Sequence, residues 1–142
     1  MNHTLAPPIK HGYHPCMENH LSVGKAGENA AADYLTRKKY RIVERNHLRR
    51  FGEVDIVAMT RDKTLVFVEV KTLSIGTGDR AYARLRPEDN MTPSKIMKTK
   101  RAAQAYANAH SGLLTDKGWR IDMIAVDLCD GAPLDIRHYE NI

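Results

Sequence analysis

Leu65-Val66-Phe67-Val68-Glu69-Val70-Lys71 is the most apolar strand-like run in the chain, and it carries two charges in its interior. A β-branched, apolar run of this kind reads as a strand buried on both faces. Period-2 alternation puts Phe67, Glu69 and Lys71 on one face and Val66, Val68 and Val70 on the other. A carboxylate placed there has lost much of its water. The penalty is on the order of several kcal/mol, so something must compensate it. One compensation is an ion pair between Glu69 and Lys71. The other is a cation held between Glu69 and further carboxylates, with Lys71 turned towards a charged substrate.

A second carboxylate stands just upstream. Gly52-Glu53-Val54-Asp55-Ile56-Val57-Ala58-Met59 also reads as a strand, and the polar stretch Thr60-Arg61-Asp62-Lys63 makes the two runs an antiparallel hairpin. Alternation places Glu53 and Asp55 on one face and Val54, Ile56 and Ala58 on the other. Aligned faces would bring Asp55 and Glu69 to one spot. Oxygen-only ligands suit Mg²⁺ or Mn²⁺ rather than zinc, and magnesium usually binds through one or two carboxylates plus substrate phosphates.

Outward from the hairpin, the chain reads as one α/β domain from 21 to 142, with residues 1–20 a disordered tail. Met17 is a second candidate initiator within that tail. His11, His14, Cys16 and His20 match no closed zinc pattern. Ser22 is placed to cap a helix running to about Lys38, with an apolar stripe of Val23, Gly27, Ala30, Ala31 and Tyr34. Glu28 lies at the edge of that stripe, able to reach inward or outward. Arg41 to Asn46 reads as an edge strand. Leu73 to Met91 reads as a long loop beside the charged pair, either a nucleic-acid-contacting flap or a plain connection. Thr92-Pro93 is a helix start, and the helix runs to about His110 over Ile96, Ala103, Tyr106 and Ala107. Trp119 to Leu128 and Ile136 to Asn141 read as the last two strands. The order is αβββαββ, a mixed central sheet flanked by helices.

Charge gives the second functional clue. The net charge is +5, and residues 1–19 contribute only Lys10 and Glu18, which cancel. The excess sits in the folded body, in the basic stretch from Arg37 to Arg50 and in Arg80, Arg84, Arg86, Lys95, Lys98, Lys100 and Arg101. Four acids, Glu28, Glu53, Asp55 and Glu69, concentrate at the proposed centre. An acidic centre ringed by positive charge suits a nucleic-acid partner, although each charge run can also be a plain solvated face. No apolar run has the length of a membrane span, and the N-terminus has no apolar signal region. With only Cys16 and Cys129, these features point to a soluble, cytoplasmic protein with reduced thiols.

Asp55 followed by Glu69-Val70-Lys71 resembles the D…(D/E)xK signature of the restriction-endonuclease-like nuclease superfamily. Gly24-Lys25-Ala26-Gly27-Glu28, Gly52-Glu53-Val54-Asp55, Phe67-Val68-Glu69-Val70-Lys71-Thr72 and Arg120-Ile121-Asp122 together resemble the YraN-like bacterial family of predicted endonucleases. That family is similar in fold to archaeal Holliday-junction resolvases. The resemblance covers roughly Leu21 to Ile142. It implies a restriction-endonuclease-like core and a metal-dependent endonuclease acting on DNA, including branched or flap substrates. By the same resemblance Asp55 and Glu69 would hold Mg²⁺ or Mn²⁺, Lys71 would orient the attacking water or stabilise charge developing on the phosphate, and Glu28 would complete the acidic cluster. Arg80, Arg84, Arg86 and Lys95 are the candidate nucleic-acid contacts, and a homodimer would suit a two-fold symmetric junction. Asp122 is expected to be the structural partner of an arginine. The competing expectation is a nucleic-acid-binding module on a nuclease scaffold, without turnover.

Overall fold

A computed structural model describes residues 20–50, 52–76 and 86–142. Its elements are α1 (His20–Arg37), β1 (Arg41–Arg49), β2 (Gly52–Met59), β3 (Leu65–Ile75), α2 (Pro93–Ala109), β4 (Trp119–Cys129) and β5 (Ala132–Tyr139). The five strands form one mixed sheet in the order β1-β2-β3-β4-β5, and only the β3–β4 pair is parallel. The α/β class, the order αβββαββ and the antiparallel hairpin of β2 and β3 all stand. Arg80 and Arg84 lie outside the described residues, as do His11, His14 and Cys16 and most of the expected tail.

Each helix covers one face of the sheet. On one side Ala30, Ala31, Ala32 and Leu35 of α1 pack on Ile56, Ala58, Val66, Val68, Ile124, Val126 and Leu128. On the other, Ala102, Ala103, Tyr106 and Ala107 of α2 pack on Val54, Val57, Leu65, Phe67 and Ile121. Leu65 to Val68 are therefore buried on both faces, as their lack of polar alternation requires.

Local chemistry sets the boundaries. Helix α1 ends in a Schellman arrangement: the Tyr40 N–H donates to the Leu35 carbonyl and the Lys39 N–H to the Thr36 carbonyl, each at 3.0 Å, with Lys39 left-handed at φ 68°. Helix α2 starts where the Thr92 hydroxyl accepts the Lys95 N–H at 3.3 Å, with Pro93 at the first turn.

Several expected boundaries move. Helix α1 is already under way at His20, so Ser22 lies inside it and is not its cap. Strand β1 continues past Asn46 to Arg49. The strand expected to stop at Lys71 runs to Ile75, because Thr72 to Ile75 pair with Val126 to Cys129. A 3-10 turn at Pro87–Asn90 occupies the far end of the expected loop. Strand β5 begins at Ala132, directly after the Asp130-Gly131 turn, rather than at Ile136.

Candidate active site

The sheet forks at the two acids. Strands β2 and β3 pair from Met59–Leu65 to Ile56–Val68 and no further. Beyond that point β2 stays with β1 to the Arg49–Gly52 pair, while β3 stays with β4 to the Ile75–Cys129 pair. Asp55 and Glu69 stand at the opening. The Val70 N–H donates to Asp55 Oδ2 at 2.7 Å, so a side-chain bond continues where the ladder stops.

A backbone irregularity accompanies the fork. Between the Arg45–Ile56 and His47–Val54 pairs, Asn46 is left-handed at φ 53°. Strict alternation fails on both strands there. Val54 packs with Val57 beneath α2, not with Ile56 and Ala58 as alternation alone predicts. Glu44 and His47, three residues apart, likewise share the α2 side, where both meet Tyr106.

Lys71 Nζ lies 2.8 Å from Glu69 Oε1, with the two side chains 23% and 18% exposed. The ion pair foreseen as the simplest compensation is therefore formed, at a half-buried position open to one side. Glu28, on α1, is close enough to feel the charge of this group but does not line its cleft. Its pKa is raised by burial and by Glu53 and Glu69, against the opposing pull of Arg45 and a hydrogen bond with Asn46. Helix α1 comes this close because Gly27 rests on β3: a Cβ at Gly27 would collide with the Thr72 side chain.

Burial raises the Asp55 carboxyl from 3.8 to about 7. Glu69, Glu28 and Glu53 push the same way, and the Val70 N–H bond opposes them. Such crowding is what a divalent cation would relieve, and the carboxylates present are hard oxygen donors. They fit Mg²⁺ or Mn²⁺, and Asp55 and Glu69 are the pair that could hold it. No set of three or more His, Cys, Asp or Glu side chains forms a ready-made metal cage among the described residues. A two-carboxylate site leaves further positions to water and to phosphate oxygens.

These groups open into a cleft of about 470 Å³ between the fork and α2. Glu53, Asp55, Glu69 and Lys71 line the sheet side, and Lys95 and Lys98 come from the first turns of α2. Lys95 is exposed and donates to the Asn90 carbonyl at 2.9 Å. Arg86 is exposed at the start of the 3-10 turn and does not line the cleft. Arg50 does line it. Neither Arg50 nor Lys98 is singled out by the motif, although the three-residue spacing of Lys95 and Lys98 on one helix face could have found the second.

Asp122 is fully buried away from this cleft. It accepts from Arg120 Nε at 2.9 Å and from the Asn141 N–H at 3.0 Å, and it lies 2.8 Å from His138 Nε2. It is structural, as expected. No helix among the described residues is long and apolar enough to cross a membrane.

Comparison with known proteins agrees across most of the chain. A family model described as "Uncharacterised protein family UPF0102" matches residues 27–126. A UPF0102 protein of Trichlorobacter lovleyi is 41% identical over 120 residues, covering 84% of this chain and 88% of the relative. One from Geobacter sulfurreducens is 40% identical over 135 residues, 94% of either chain. One from Bacteroides fragilis is 42% identical over 110 residues, 78% of this chain and 83% of the relative.

Proposed function

This chain belongs to the UPF0102 (YraN) family, whose description names no activity, and we propose that it is a metal-dependent nuclease hydrolysing phosphodiester bonds in DNA. The observation that carries this reading is the fork, which gathers Asp55, Glu69 and Lys71 at the floor of a cleft rimmed by lysines. The five-stranded mixed sheet between two helices suits a restriction-endonuclease-like core.

In this reading Asp55 and Glu69 hold Mg²⁺ or Mn²⁺. Bound there, the ion supplies a Lewis acid for a phosphoryl oxygen and activates a water molecule. The Val70 N–H fixes one Asp55 oxygen, so the carboxylate presents the other to the cleft. Lys71 exchanges its Glu69 partner for the phosphate and stabilises the negative charge that develops there. Glu28 orients the attacking water from the α1 side. Lys95 and Lys98 neutralise flanking phosphates and set the strand across the fork. Branched and flap substrates are what the family's resemblance to junction resolvases would imply, and a homodimer would present two such clefts.

Glu69 has an ion-pair partner in Lys71 on its own strand, and this favours the second reading, a DNA-binding module without turnover. Cleavage of end-labelled linear, single-stranded, flap and four-way-junction DNA in Mg²⁺ or Mn²⁺ separates the two. Loss of cleavage in Asp55→Ala and Lys71→Ala, with binding in Ca²⁺ retained, supports the nuclease. Binding without cleavage by the wild type on every substrate supports the module.

A further inference from the structure

A second cavity of about 310 Å³ lies between β1 and α2, and it shares Arg50 and Gly52 with the cleft. Its wall is an aromatic stack. The Tyr106 and His110 rings are parallel to within 19° at 4.0 Å, and Phe67 and His47 meet Tyr106 edge-on at 5.5 and 4.7 Å. Tyr106 is buried at the base of this stack, whereas His110 is exposed and forms its outer ring.

The cavity carries charge of both signs. Glu44, whose side chain is 37% exposed, is held by His47 Nδ1 at 2.8 Å and by the Tyr106 hydroxyl, which donates to it at 2.9 Å. Arg49 and Arg50, both exposed, line it as well. A phosphate is repelled by the Glu44 carboxylate and attracted by the two guanidinium groups, whereas a neutral, flat ring has an aromatic wall to lie against. Small side chains, Ala102, Ala105 and Ala109, leave the room for it. Gly52 forms the saddle to the cleft: a Cβ there would stand 3.4 Å from Ala102 Cβ, and its φ of 132° disfavours any side chain.

We infer that this cavity receives the base of an unpaired nucleotide whose phosphate lies at Arg49 and Arg50, next to the strand held in the cleft. The inference rests on the nuclease reading and adds to it a preference for DNA with an unstacked base beside the cut. Stacking on an aromatic wall accepts any base, so this is a preference for single-stranded character, not for sequence.

The test is binding in Ca²⁺ of a fluorescein-labelled single strand, compared with the same strand carrying abasic residues at its centre, read by anisotropy. Wild type is expected to bind the base-bearing strand about tenfold more tightly. Ala105→Leu, which fills the cavity, and His110→Ala, which removes its outer ring, are expected to bring that ratio close to one. Both should keep the wild-type affinity for the abasic strand, with folding checked by thermal melting. Lys98→Ala should weaken both strands alike. Equal binding of the two strands by wild type, or a ratio unchanged in both cavity variants, overturns the pocket and leaves the nuclease reading standing. Binding of neither strand by wild type also overturns the pocket, and the nuclease reading falls with it only if no linear, flap or four-way-junction DNA is cleaved.

Discussion

The Asp55 carboxylate accepts the Val70 N–H at 2.7 Å across a sheet that has stopped pairing one residue earlier. That bond keeps a carboxylate beside Glu69 in a place where burial and its neighbours favour the neutral acid. Geometry that holds Asp55 among Glu69, Glu28 and Glu53, with Lys71 paired to Glu69 alone, should cost stability.

Asp55→Asn is therefore expected to stabilise the protein in EDTA at pH 8, by about 1 kcal/mol or a few degrees in Tm. Its amide oxygen can still accept the Val70 N–H. The pH dependence follows in sign. Asp55 releases its proton near 3.8 unfolded and near 7 folded, so between these values the folded state holds more protons. Wild-type stability should fall across that window as pH rises, and the slope should shrink in Asp55→Asn. A variant no more stable than wild type at pH 8 would contradict the crowding.

Lysines at the centre and at the rim should separate kinetically. Lys71→Met is expected to reduce cleavage about 10²-fold or more with little change in DNA affinity, as for a group acting on developing charge. Lys95→Ala and Lys98→Ala should instead weaken binding, each lowering the slope of log K against log salt by about one. Cleavage kinetics at saturating DNA, beside a salt titration, distinguish the two patterns.

Two glycines of α1 should respond oppositely to alanine. Gly24 has open space around it, so Gly24→Ala should gain about 0.5–1 kcal/mol from helix propensity. Gly27→Ala drives a methyl into Thr72 and should lose about 1–3 kcal/mol. Urea melts of Gly27→Ala with and without Thr72→Ala test the contact, since removing the Thr72 branch should recover much of the loss.

Acid should act at the far edge of the sheet. Arg137 donates to Glu88 at 2.8 and 3.0 Å, and with Tyr139 it holds that carboxyl down at about 2. A depressed carboxylate contributes stability above its ordinary value of 4.5, and that stability is lost as pH falls towards 2. Glu88→Gln should cost about 1 kcal/mol at neutral pH and progressively less towards pH 2. Denaturant midpoints measured across that range give the result.

The hairpin and both helices are legible in the sequence because their signals are local. A continuous β-branched run, a polar turn, and Thr92-Pro93 each act through neighbours in the chain. The fork is not legible. It depends on a left-handed Asn46 in β1 and on β3 finding a partner as distant as Cys129. The acids themselves are readable from burial logic and resemblance, whereas the reach of Glu28 depends on how closely α1 seats on Thr72. The spacing of Lys95 and Lys98 puts them on one face of α2, but that this face meets the cleft depends on where α2 crosses β2.

The parallel pairing of β3 with β4 has a consequence for the order of assembly. The β2–β3 hairpin closes over Thr60–Thr64, but every β3–β4 contact encloses the whole of α2, from Leu65–Trp119 to Ile75–Cys129. Short loops close at little entropic cost and early, and long ones late. Asp55 and Glu69 are thus expected to meet while still wet and to lose their water as the helices and β4 pack on. Relieving their repulsion should then slow unfolding while leaving the folding arm of a stopped-flow chevron almost unmoved. The chain would collapse first and meet the electrostatic strain of its crowded acids last.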